Sequence, residues 1–153
     1  MQTGRNENRA VLRGVVAMAP ASSHENHGVW YDAFPLVVRR LSGAEDRVNV
    51  IVAHPTAEQL ALQPGQEVEI EGEVRSFNNK SGRGSRLVIT LFARNIRPSQ
   101  GEHVNELVLS GALCKPPVYR RTPMGREICD LLLAVNRRYG RADYLPCIAW
   151  GAL

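Results

Sequence analysis

The sequence predicts an all-β chain with one short helix, built as one complete module followed by part of a second copy. Three observations predict it. Short apolar runs alternate with period two and are set apart by turn residues. Only Thr56–Leu62 has a capped, helix-forming composition. The chain also repeats itself at a constant offset of 97 residues.

Residues 1–7 are polar and expected to form a flexible tail. Asn8–Val16 (NRAVLRGVV) reads as the first strand, with Gly14 marking a bulge, a bend or a close backbone approach. Met18–Gly28 is rich in turn residues and reads as a loop. Val29–Arg40 is the second strand, Pro35 placing it near an edge or bulge, and Asp46–His54 is the third. Thr56 stands three residues before Gln59, the capping-box spacing, so a short helix is expected to start there and to end at Pro64-Gly65. In Glu67–Val74, Val68, Ile70, Gly72 and Val74 point one way and Glu67, Glu69, Glu71 and Glu73 the other, which predicts a strand with its acidic face in water. Leu87–Phe92 begins the last strand, finishing near Pro98. Five short antiparallel strands with a helix between the third and fourth describe an oligonucleotide/oligosaccharide-binding (OB) five-stranded barrel.

Residues 8–98 thus form the first OB domain, 99–104 a linker, and 105–153 the N-terminal part of a second OB domain. At the offset of 97, Asn8 matches Asn105, Leu12 matches Leu109, Gly14 matches Gly111, Val38 matches Val135, Arg40 matches Arg137 and Asp46 matches Asp143, with no gap. The second copy has no counterpart of the helix or the final hairpin, and three strands cannot close a barrel. The missing strands come either from chain beyond Leu153 or from another subunit, and the former is favoured.

The hairpin loop carries Arg75, Lys80, Arg83 and Arg86 with Phe77 and no acidic residue. Cations neutralise phosphates and a ring offers a face to any base; a solvated loop is the alternative. Residues 115–141 carry Lys115, Arg120, Arg121, Arg126, Arg137, Arg138 and Arg141 against Glu127 and Asp130, with Tyr119 and Tyr139 among them. That interleaving suits an unpaired strand, and a solvated surface is again the alternative. Arg40 and Arg137 recur in both copies, and two roles stay open: pairing with Asp46 and Asp143, or phosphate contact. Lys80 and Lys115 are the only lysines among 19 basic residues; arginine stacks and pairs phosphate bidentately, though codon bias gives the same count.

Cys114, Cys129 and Cys147 are odd in number and far apart, which argues against a disulfide framework and a zinc site and for a reducing cytoplasm. His24 and His27 lack further ligands and are expected to be solvated. The glycines of Ser81–Ser85 lack the Gly-Lys-Ser/Thr of a nucleotide loop. No catalytic constellation stands out, so neither an enzyme nor a cofactor is expected. The N-terminus has no apolar h-region and no stretch reaches membrane-spanning length.

Gly111, Leu113, Pro117, the turn Arg120–Gly125, Leu133–Arg137 and Trp150–Leu153 together resemble the start of bacterial single-stranded DNA-binding proteins. The turn departs by one residue, Arg121 directly preceding Thr122. Residues 8–98 resemble a more diverged copy, clearest at Leu36–Gly43 and in EGEVRSFNNKSGRGSRL. The resemblance implies OB folds that bind single strands without reading sequence, in dimers or tetramers whose first strands pair. It implies base stacking on Phe77, Tyr144 and Trp150. The first copy has Arg47 and Ala53 at the third-strand places, so Trp30, Tyr31 and Phe34 are candidate substitutes there, with Arg39 beside them. Residues 1–153 contain no acidic tip of the kind through which the family recruits replication and repair proteins. The expected function is single-stranded DNA binding in replication, recombination or repair, in the bacterial cytosol. The alternative is an OB accessory of the primosome type, working through protein contacts with weak DNA affinity.

Overall fold

The computed structural model describes residues 6–79, 82–83 and 86–151, apart from the side chain of Tyr139. The elements run β1 (Asn8–Val16), β2 (Ala21–Asn26), β3 (Val29–Arg39), β4 (Glu45–Ala53), α1 (His54–Leu60), β5 (Glu67–Asn78), β6 (Leu87–Pro98), β7 (Val104–Leu109), β8 (Ala112–Leu113), β9 (Val118–Arg121), β10 (Glu127–Asn136) and β11 (Ala142–Trp150). They fall into two compact units. One comprises residues 9–74 and 89–108; the other comprises the described parts of 1–8, 75–88 and 109–153.

In the first unit a sheet runs β2-β3-β4-β6-β5-β1-β7, and β1 also pairs with β3. That extra pairing, at Val15↔Val37 and Val16↔Leu36, closes β1, β3, β4, β6 and β5 into the expected five-stranded OB barrel. The β4–β6 pairing is parallel, unlike the others described (Val50↔Leu91, Ile51↔Phe92). Gly14 sits at the closure: a Cβ there would lie 2.4 Å from the Val37 carbonyl oxygen, so only glycine lets the strands meet. The core is built from inward positions such as Val16, Phe34, Leu36, Val50, Ile70 and Leu91. Phe34, a candidate ring at the sequence level, is therefore a core residue at 1% exposure and unavailable to a ligand.

Three local expectations are corrected. Residues 21–26 form a strand rather than a loop, turning at His27 and Gly28, both at positive φ, so that Asn26 faces Val29. Every residue of β2 is exposed, so it carries no alternation to betray it. The helix starts earlier than the Thr56 cap predicted: Ala53 is the N-cap, no side chain caps it, and Pro55 presets φ in the first turn. The acidic face of β5 is not simply in water. Glu69 and Glu73 are each 6% exposed, covered by arginines from neighbouring strands. Arg13 and Arg97 both bond Glu69, and Arg94 Nε donates to Glu73 Oε1 at 2.9 Å. The two Glu69 bonds hold its carboxyl below the ordinary carboxylate range, Arg13 contributing most.

At the start of α1, His54 Nδ1 lies 2.7 Å from buried Asp32 and Nε2 lies 3.1 Å from Glu58. The hydrogen bond to Asp32, and then its charge, raise the imidazole above its ordinary 6.5. A raised folded-state value means the contribution is full below the unfolded value and fades as pH climbs through the folded one. The melting temperature lost in His54→Gln is therefore expected to be greatest below pH 6.5 and to shrink above it. Thermal melts of both proteins across that range check this; a deficit that does not change with pH refutes it.

The second unit holds a sheet ordered β11-β10-β8, with β9 also pairing β10. It repeats the first unit's strand register at the offset of 97. Val37↔Arg47 and Val38↔Asp46 become Ala134↔Tyr144 and Val135↔Asp143. A Cβ on Gly111 would lie 2.5 Å from the Ala134 carbonyl oxygen, the counterpart of the Gly14 approach to Val37. The Arg40–Asp46 bidentate pair recurs, atom for atom, as Arg137–Asp143. Of the two roles left open for these arginines, pairing with the aspartate is the one observed. Asn6 and Glu7, from the expected tail, are bonded in this unit, Asn6 to Asn136 and Glu7 to Ser110. Among the described residues no helix is long and apolar enough to cross a membrane.

Candidate nucleic-acid interface

Strand β11 alternates strictly at its start: Asp143 and Leu145 are buried, Tyr144 and Pro146 exposed. Period two then carries Tyr144, Ile148 and Trp150 onto one face, at 51%, 51% and 53% exposure. The pairings Ile128↔Trp150 and Ile128↔Arg120 put Arg120 on that same face, two strands from the indole. Arg120 is joined there to Asp130 (2.6 Å), which raises the guanidinium and lowers the carboxyl.

Tyr119 and Arg121 face the other way. They sit opposite Cys129 and Glu127, and both bond Glu127, the tyrosine hydroxyl at 2.9 Å and the arginine at 3.2 Å. The bond to Glu127 raises the Tyr119 hydroxyl above its ordinary value. The predicted Tyr119–Arg121 cluster is therefore split between two faces, because consecutive strand residues point oppositely. Past the edge, a cleft of about 600 Å³ is lined by Arg121, Gly125, Arg126, Glu127, Trp150 and Gly151. Of its two guanidiniums, Arg121 is already bonded to Glu127, which also lines the cleft, so Arg126 is the cation it offers a phosphate beside the Trp150 indole. Arg138 is exposed in the turn before β11.

The far end of the hairpin, residues 75–88, belongs to this same unit. Phe77 is 53% exposed, and Arg83 and Arg86 are exposed while Arg75 is half-buried. Lys80 lies outside the described residues, as does the side chain of Tyr139. Ser76, which no pattern singled out, ties the hairpin to β11: its N–H donates to Asp143 Oδ1 and its Oγ accepts from the Tyr144 N–H, both at 2.9 Å. Phe77, Tyr144, Trp150, Arg83, Arg86 and Arg126 are thus gathered in one unit.

The candidates of the other unit form a separate group. Trp30 is 55% exposed at the start of β3. Tyr31 is stacked on His24 (5.1 Å, 19° between planes) and tilted against Phe92 (5.6 Å), whose ring lies 5.7 Å from the Arg94 guanidinium. His24 is exposed, as expected, and also stacks on Tyr31. The missed signal was β2 itself, which sets His24 opposite Tyr31. Arg39 is exposed, 4.0 Å from Glu45, and its backbone N–H donates to His103 Nδ1.

Residues 104–153 match the single-strand binding protein family. That stretch, about a third of the chain, is similar to the family's members. Single-stranded DNA-binding protein 2 of Listeria innocua is 38% identical over 53 residues, which are 31% of this chain and 33% of that protein. The chain thus spans about a third of the length of the curated relatives it matches. The wild-type single-stranded DNA binding protein from Thermus aquaticus superposes with a TM-score of 0.78 at 25% identity, covering 95% of this chain and 75% of the other. The N-terminal domain of PriB protein from Thermoanaerobacter tencongensis, a dimeric structure, is 34% identical with a TM-score of 0.53, covering 61% of this chain and 98% of that one. The residues that match the family contain Tyr144, Trp150 and the cleft arginines.

Proposed function

We propose that the chain binds single-stranded DNA without reading its sequence, in replication, recombination or repair, inside the bacterial cytosol. The observation that carries this is the grouping of three half-exposed rings, Phe77, Tyr144 and Trp150, in the unit that holds most of the family-matched residues. The rings would stack bases, while Arg83, Arg86 and Arg126 would neutralise phosphates. Residues 8–98 and 105–153 act in this reading as two copies of one OB module, assembled further into a homo-oligomer. No catalytic step is assigned to it.

Anisotropy of a labelled oligo-dT, against a duplex of equal length at low salt, tests the reading. The expected result is a clear preference for oligo-dT that weakens as salt rises. Equal affinity for the two would sink it.

A second reading is favoured by the likeness to the PriB domain over 61% of the chain and by Arg47 and Ala53 at the ring positions of β4. In it the first copy is a protein-contact accessory of the primosome type, with weak DNA affinity. Substituting Phe77 and Tyr144 then leaves partner capture intact.

A further inference from the structure

Ser76 and the start of β11 are fastened by two hydrogen bonds that run in opposite directions. Ser76 N–H donates to Asp143 Oδ1 and Tyr144 N–H donates to Ser76 Oγ. Asp143 cannot swing away, since Arg137 Nε and Nη2 hold its two oxygens at 2.7 and 2.6 Å. Its side chain has no exposure, whereas Asp46, in the equivalent pair of the other unit, keeps 29%. Burial is thus not a property of the Arg–Asp pair itself. At Asp143 it goes with the third bond, from Ser76.

Ser76 directly precedes Phe77, about 3.8 Å away along the chain by Cα spacing. Its hydroxyl holds the backbone of Tyr144. Ser76 is therefore next in the chain to one half-exposed ring residue and bonded to the backbone of the other. We infer that Ser76 is a positioning residue, coupling Phe77 to Tyr144 so that an unpaired strand meets both rings as one surface. This rests on the single-strand reading above. A hairpin end free to move would have to be ordered each time a strand bound, whereas a fastened one is ordered beforehand. Serine suits the place because its backbone donates and its hydroxyl accepts; alanine keeps the first bond and deletes the second.

The test measures oligo-dT affinity for the wild type, Ser76→Ala and Ser76→Thr, and for Phe77→Ala and Tyr144→Ala in wild-type and Ser76→Ala backgrounds. Ser76→Ala is expected to bind about fivefold more weakly, the effect of one lost hydrogen bond, and Ser76→Thr to restore binding. The Phe77 and Tyr144 losses, non-additive in the wild type, become additive in Ser76→Ala. Amide hydrogen exchange adds a readout free of DNA: the Tyr144 N–H is protected in the wild type and exchanges faster in Ser76→Ala. If Ser76→Ala fails to fold, the wild-type exchange and the Ser76→Thr affinity still decide, an unprotected Tyr144 N–H overturning the inference. Unchanged affinity and unchanged coupling in Ser76→Ala, with the wild type preferring oligo-dT, overturn it alone. A wild type indifferent to oligo-dT overturns the functional reading and this inference with it.

Discussion

Removing both Phe77 and Tyr144 to alanine is expected to weaken oligo-dT binding on the order of a hundredfold, since each stacked base contributes roughly 1–3 kcal/mol. Both rings are about half exposed and stand on a β-sheet framework, so truncation removes ring area without opening a cavity. Melting curves should stay near wild type while affinity falls. Duplex binding, which offers no free base faces, should change little. Anisotropy titrations with both ligands check this, and a double variant that binds oligo-dT like the wild type removes the stacking surface from the account.

The second large effect is on stability. Asp143→Ala is expected to destabilise its unit by about 3–5 kcal/mol, because it leaves a mostly buried guanidinium without its counter-charge. Arg137 has 22% of its side chain exposed, and Ser76 N–H would lose its acceptor as well. The matched change Asp46→Ala should cost far less, because Arg40 is 62% exposed and water can replace the partner. Urea unfolding of the two variants side by side decides it. Equal losses would mean that burial does not distinguish the two pairs.

Much of the barrel was legible because it is written in backbone constraints that sequence carries locally. The bounds of β1 read from the sequence agree with the observed Asn8–Val16, and of the bulge, bend or close approach that Gly14 signalled, the structure has the close approach, to the Val37 carbonyl. The 97-residue repeat carried over strand register, glycine placement and ion pairs together. What was illegible depended on partners distant in sequence. The burial of Glu69 and Glu73 needs Arg13, Arg94 and Arg97 from neighbouring strands, and a run of four glutamates gives no hint of them. β2 is polar throughout and holds its place by pairing alone. In the interface, Phe77 stood out in the cationic hairpin loop, while Tyr144 and Trp150 were found through the family likeness. The division of Arg120 from Tyr119 and Arg121 required the register of β9 on β10. Ser76 left no mark in the text of the chain, since its role exists only once Asp143 lies beside it.

The arginine-roofed glutamates also bear on what the protein's overall positive charge measures. Arg13, Arg94 and Arg97 are tethered to carboxylates on the barrel, as Arg40, Arg120, Arg121 and Arg137 are elsewhere. A formal +4 and a pI near 9.3 therefore describe the molecule's electrophoresis better than its grip on a polyanion. The number of counterions set free when a strand docks should therefore fall well short of the arginine total.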